Sequence, residues 1–252
     1  MERGIIREGR REYINMKGIL DELIQEDKFI YVTNQYSKKW QYSEIARNNL
    51  ELYFKKMKEL KPHCALVGIA PGYNGCRLTG IPFTSEYIVK DEINNTGLFG
   101  INNGYLIREN IRPQKEPTAT IVWEFLKENQ KYPLLWNAFP FHPYKPGNID
   151  SNRNPNKDEL KSGLKILKMV VEEFHINKIF AIGKIPYNLM ICDNMECIYI
   201  HHPSFGKKEE FRKGLKTYIM SHRNNAYAQQ CLPPKIGANG FFIVSPYLPW
   251  LN

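Results

Sequence analysis

The chain has 252 residues, 42% of them hydrophobic and 24% charged, which are the proportions of an ordinary globular domain long enough to bury a substantial core. Its 35 Lys and Arg against 26 Asp and Glu give a formal charge of +9, a balance that favours a polyanionic partner such as nucleic acid. No apolar run approaches the roughly 18 residues of a membrane span, and five irregularly spaced cysteines with no signal peptide read as reduced cytosolic thiols.

Residues 1–62 read as a helical N-terminal part. A helix is predicted around Ile14–Gln25. Ser43 is placed to cap a second helix through Ala46, Leu50, Leu52, Phe54, Met57 and Leu60, which Pro62 ends. The apolar run Cys64–Ile69 predicts a strand that empties into a Gly/Pro-rich loop, GIAPGYNGCRLTGIPF over Gly68 to Phe83. Residues 84–117 have no clear period and read as a loop-rich insertion. Thr118 is the expected cap of a helix to about Gln130, with Ile121, Val122, Phe125 and Leu126 on its buried face.

A second strand, Pro133–Phe139, breaks at Pro140 into a Pro-rich loop from Phe141 to Asn156. A longer helix starts at Lys157 and carries Leu160, Leu164, Leu167, Val170, Val171 and Phe174 on one side. Strand Lys178–Ile182 follows, then a short helix with Pro186 near its start and a strand Cys197–Ile200. The chain turns at His202-Pro203-Ser204 and continues as a helix over Lys208–His222. Residues 223–252 break the pattern and read as an extension of open role, either packed or contacting substrate. Alternating strands and helices predict one three-layer α/β domain with a short, mostly parallel sheet, whose ligand chemistry sits at the carboxyl ends of the strands.

Three segments fall at those ends: the Gly68–Phe83 loop, Trp136-Asn137-Ala138-Phe139-Pro140-Phe141-His142-Pro143, and His201-His202-Pro203-Ser204. They deliver an aromatic ring at Phe83, an amide at Asn137 and an imidazole at His202. An amide offers a donor and an acceptor to the edge of a nucleobase. A neutral imidazole can donate to a carbonyl oxygen that gains charge as a bond to the base breaks, and a ring supports a base taken out of the stack. His201 points to the opposite face by strand alternation and reads as structural. Lys184 and the Lys207-Lys208 pair stand where phosphate contacts would be, or on a solvated face.

These segments resemble the three motifs of the uracil-DNA glycosylase superfamily, with the first loop similar to the GxAPGxxGxxxTGxPF pattern of its thermophilic and related bacterial branches. The resemblance spans roughly residues 64–215. It implies a DNA glycosylase of base-excision repair, a monomer in the cytoplasm, which flips a base (by default uracil) and hydrolyses its glycosidic bond. Phe83 would stack on the base, Asn137 would read its edge and His202 would stabilise the leaving group. Ala70, Pro71, Gly72 and Tyr73 would line the pocket, while Pro203, Ser204, Lys184 and Lys207 would hold the DNA backbone.

The chain departs from the family at Ile69 and Ala70, where several branches keep an acid. Glu86 is the expected water-positioning acid, with Asn74 and His142 as alternatives. The related thermostable branches hold an iron–sulfur cluster on four cysteines, but the first 63 residues here have none, and Cys192 and Cys197 lack a second pair. No metal or cofactor is therefore expected. The departures leave two other readings open, a glycosylase for a modified pyrimidine in foreign DNA and a DNA-binding sensor without catalysis.

Overall fold

The computed structural model describes residues 16–25, 28–204 and 206–219. The predicted extension 223–252, with Cys231, and the end of the last predicted helix lie outside them. Strands β2 (Cys64–Gly68), β3 (Leu134–Asn137), β5 (Lys178–Ile182) and β6 (Ile198–Ile200) form one parallel sheet in the order β3-β2-β5-β6. Every residue of β2 and β3 is buried, so both faces of the central strands are covered and their continuous apolar runs need no polar alternation. A two-stranded antiparallel ribbon, β1 (Val32–Thr33) with β4 (His142–Pro143), sits apart from this sheet.

Helices α1 (residues 16–25), α2 (Ser43–Leu60), α5 (Pro117–Asn129), α6 (Lys157–Glu173), α7 (Lys184–Cys192) and α8 (Lys208–Ile219) flank the sheet, and the short α3 (Cys76–Thr79) lies within the first loop. Phe54 of α2 packs on Trp136 of β3 and on Phe174, with ring centroids 5.7 and 5.2 Å apart. Helix α6 starts with a capping box, in which the Asn156 side chain accepts from the Glu159 amide and Glu159 accepts from Asn156. Gly163 of α6 lies against the chain just beyond β3, where a methyl group would come within 2.2 Å of the Ala138 carbonyl oxygen. That contact fixes how closely α6 approaches the end of β3.

Three local expectations change. Ser43 is the first residue of α2 rather than its cap, and the preceding Tyr42 makes no capping side-chain bond. Helix α5 is capped by Glu116, two residues before Thr118, because Pro117 fits the first helical position, where the N–H it lacks would have no intrahelical partner. Residues 84–117 contribute core rather than a surface loop. They hold the short helix α4 (Glu86–Val89), a 3-10 turn at Ile101–Asn103 and the buried Val89, Ile93, Leu98, Phe99 and Tyr105. Phe99 packs edge-on against Trp123 of α5, with centroids 5.0 Å apart.

Candidate active site

The ends of β2, β3 and β6 open into a cavity of about 250 Å³ whose walls include Gly68, Ala70, Pro71, Gly72, Phe83, Asn137 and His202. Residues from all three predicted segments therefore meet in one place. Gly68 and Asn137 are register partners on β2 and β3, and the ladder continues past them as Ala138 N–H donates to the Gly68 carbonyl at 2.8 Å. Asn137 is only 4% exposed, yet its amide makes no hydrogen bond to any of the described residues. The amide lines the cavity, so its donor and its acceptor are open to a ligand there.

Phe83 adopts a left-handed backbone with φ of 53°, a strained state for a bulky residue. Its carbonyl oxygen accepts from the Trp123 indole N–H at 2.8 Å, and the Thr84 hydroxyl that follows lies 2.6 Å from both the Thr79 hydroxyl and the Ile81 carbonyl. These bonds hold the turn that puts the ring over Gly68. A methyl group on Gly68 would lie 2.6 Å from Phe83 Cζ and 3.0 Å from Asn137 Oδ1, so glycine is needed there.

His202 is oriented by its own turn. Ser204 N–H lies 3.3 Å from His202 Nδ1, and the Ser204 hydroxyl lies 2.7 Å from it. A backbone N–H can only donate, so Nδ1 is the acceptor and the neutral ring carries its proton on Nε2. Burial lowers the pKa of His202, which favours this neutral form. Pro203 is buried beside it, and Ser204 faces the histidine.

Other predicted residues sit elsewhere. Tyr73 does not line the cavity, and its backbone N–H donates to Asn152 Oδ1 at 3.1 Å. Lys184 is exposed at the first turn of α7, and Lys207 is exposed and paired with Glu210 at 2.8 Å. Glu86 is the principal correction. It does not reach the cavity but lies buried under Arg108, whose Nε and Nη2 donate to its two oxygens at 2.7 and 2.9 Å, while Gln114 N–H donates at 3.0 Å. Burial alone would raise its pKa, but the guanidinium and the amide outweigh burial and hold the carboxyl below its ordinary range.

Neither alternative acid–base residue lines the cavity. Asn74 is half-buried outside it. His142 is wholly buried, with Nδ1 2.8 Å from the Pro71 carbonyl and Nε2 3.1 Å from the Ile149 carbonyl, and so braces the first loop from behind. Arg77 ties the same two loops together by donating to the carbonyls of Tyr73 and Ile149 and to Asp150.

The cavity wall also holds residues not singled out in the sequence as site residues. Cys76 lines it, but burial pushes its thiol far above the ordinary range, so it stays protonated and is a poor nucleophile. Asn152 and Asn154 come from the Pro-rich loop, and Glu116 and Thr118 from the start of α5. The position of Glu116 as cap was findable from Pro117, because a proline before a helical period marks the first helical position and the residue before it as the cap. Among the described residues, no helix is long and apolar enough to cross a membrane, and no group of three or more His, Cys, Asp or Glu is arranged to hold a metal.

A family model, the uracil DNA glycosylase superfamily, matches residues 54–229, and the chain belongs to that superfamily. Membership brings with it a glycosylase-type function on DNA. The fold is similar to that of the wild-type SMUG2 crystal structure from Pedobacter heparinus, at 17% identity and a TM-score of 0.55, over 82% of this chain and 98% of that one. No curated protein matches the chain.

Proposed function

We propose that this protein is a monofunctional DNA glycosylase that flips a pyrimidine, by default uracil, into the cavity and hydrolyses its glycosidic bond to leave an abasic site. The observation that carries this reading is Asn137. Its buried, unpartnered amide lines the cavity together with the Phe83 ring and the His202 imidazole. An amide in that setting gains most from a ligand that satisfies donor and acceptor at once, which a pyrimidine edge does.

Phe83 then stacks on the base, and His202 Nε2–H donates to the base carbonyl that gains negative charge as the bond breaks. The exposed Lys184, and Lys207 once released from Glu210, are the phosphate contacts of this reading, with Ser204 at the same strand end. The protein works as a monomer, in the cytoplasm. Single-turnover assays on duplex and single-stranded oligonucleotides carrying uracil, other deaminated bases or bulky modified pyrimidines, followed by alkaline cleavage, test it. We expect abasic sites on at least one of these substrates, and a loss of about 10²–10³ in rate for His202→Ala, as for removal of other oxyanion donors. Asn137→Ala should weaken both target-base binding and rate. Tight DNA binding without abasic sites on any substrate would identify a sensor instead.

A further inference from the structure

We infer that Glu116 is the catalytic carboxylate of this site, an assignment that rests on the glycosylase reading above. The acid missing from the first loop at Ile69 and Ala70 is supplied by the cap of α5, which lines the same cavity. The half-buried Glu116 lies along the first loop, where a methyl group on Gly75 would sit 3.2 Å from Glu116 Cγ and one on Gly72 would sit 3.9 Å from it. Its oxygens accept the backbone N–H groups of Thr118 at 3.1 Å and Ala119 at 2.5 Å. These two bonds hold the side chain in one orientation without neutralising its charge, because no cation is paired with it among the described residues. A supported, rigid side chain is what a reacting group needs.

The other groups on the wall cannot take a proton from water. His202 Nδ1 already accepts from Ser204, and its Nε2 carries the hydrogen. The Cys76 thiol is protonated, the Arg153 guanidinium is a cation paired with Glu159, Asn137, Asn152 and Asn154 are neutral amides, Thr118 is a neutral hydroxyl, and the Thr84 hydroxyl is bonded within its own turn. Glu116 is the only carboxylate among the described residues that line this cavity. The step balances simply. The electron pair of the C1′–N bond leaves with the base, whose charged oxygen receives the hydrogen bond from His202 Nε2–H. Water oxygen bonds to C1′, and its proton passes to Glu116 and then to solvent, while the base takes a proton from solvent. The negative charge on Glu116 also faces the positive charge that builds on the sugar.

The bland reading, that Glu116 is only a helix cap, makes a different prediction. Glu116→Gln and Glu116→Asn both keep an oxygen that can accept from the α5 amides, and Asn is a favoured cap. We expect both variants to hold wild-type thermal stability within a few degrees and to bind target oligonucleotide within a few-fold of wild type. Their single-turnover rates should drop by about 10²–10³. If either variant cleaves at the wild-type rate per folded molecule, Glu116 is a cap and nothing more. If wild type makes no abasic site on any substrate, the glycosylase reading fails, and this assignment fails with it. An active wild type with active variants overturns only the assignment.

Discussion

Two carboxylates bracket residues 84–117 and have opposite fates. Glu86, at the start of α4, is 1% exposed and gives both oxygens to one guanidinium. Glu116, just before α5, is half-buried on a cavity wall and, among the described residues, bonds only to backbone amides. Each stands at the head of a helix, but among the described residues only Glu86 has a cation paired with it. A buried carboxylate with a bidentate arginine is committed to holding two segments together, here α4 and the chain around Arg108. A carboxylate held by amides keeps its charge available.

The largest effect that could break this comparison comes from Glu86. Replacing it with Ala leaves Arg108, only 14% exposed, without its partner, and breaking such a pair typically costs about 3–5 kcal/mol. For a chain of this size that corresponds to a fall in Tm on the order of 10 °C, read by calorimetry. The cleavage rate per folded molecule should not change. A variant with wild-type Tm and no activity would reverse the roles of the two acids.

Gly68→Ala probes the cavity wall with a smaller effect. The added methyl group, 2.6 Å from Phe83 Cζ and 3.0 Å from Asn137 Oδ1, must displace the ring or the amide. Misplacement of that size costs roughly 10² in rate, equivalent to about 2.7 kcal/mol of transition-state stabilisation. The expected readout is that loss with a much smaller change in Tm. An unchanged rate would mean that Phe83 and Asn137 need not hold these positions for the reaction.

What the sequence shows plainly is whatever depends on neighbours along the chain. The parallel strands are unbroken apolar runs, and β2, β3, β5 and β6 fall inside or within one residue of the predicted limits. Asn137 and His202 are visible because they close apolar strands. The core role of residues 84–117 is not visible, because Leu98, Phe99 and Tyr105 are buried from irregular backbone that carries neither a helical nor a strand period. The choice between Glu86 and Glu116 depends on Arg108, 22 residues from Glu86, and on Gly72 and Gly75 of a different loop. No local pattern encodes either contact.

His142 sets the smallest and most diagnostic prediction, since like Glu86 it was a possible catalyst that the fold uses for support. Both of its ring nitrogens face carbonyl oxygens, of Pro71 and Ile149, so those contacts favour the doubly protonated ring. Burial opposes that charge more strongly, Arg77 adds to the opposition, and the net effect lowers the pKa below the ordinary 6.5. Asp150 and the two carbonyls pull the other way, while Tyr144 stacks on the ring with centroids 6.1 Å apart. With the folded pKa below the unfolded one, both states are neutral above about pH 6.5 and stability is flat there. As the pH falls below 6.5, the unfolded chain binds the proton first, and stability declines until the folded pKa is passed. His202 shifts in the same direction, so wild type alone does not separate the two. Urea midpoints of wild type and His142→Gln between pH 7.5 and about 5 do. The slope should be shallower in the variant, and cleavage at pH 7.5 should persist wherever the variant is folded. A wild type that gains stability over the same acid range, with the gain lost in His142→Gln, would mean that the two carbonyls outweigh burial and that the first loop is clamped by an imidazolium.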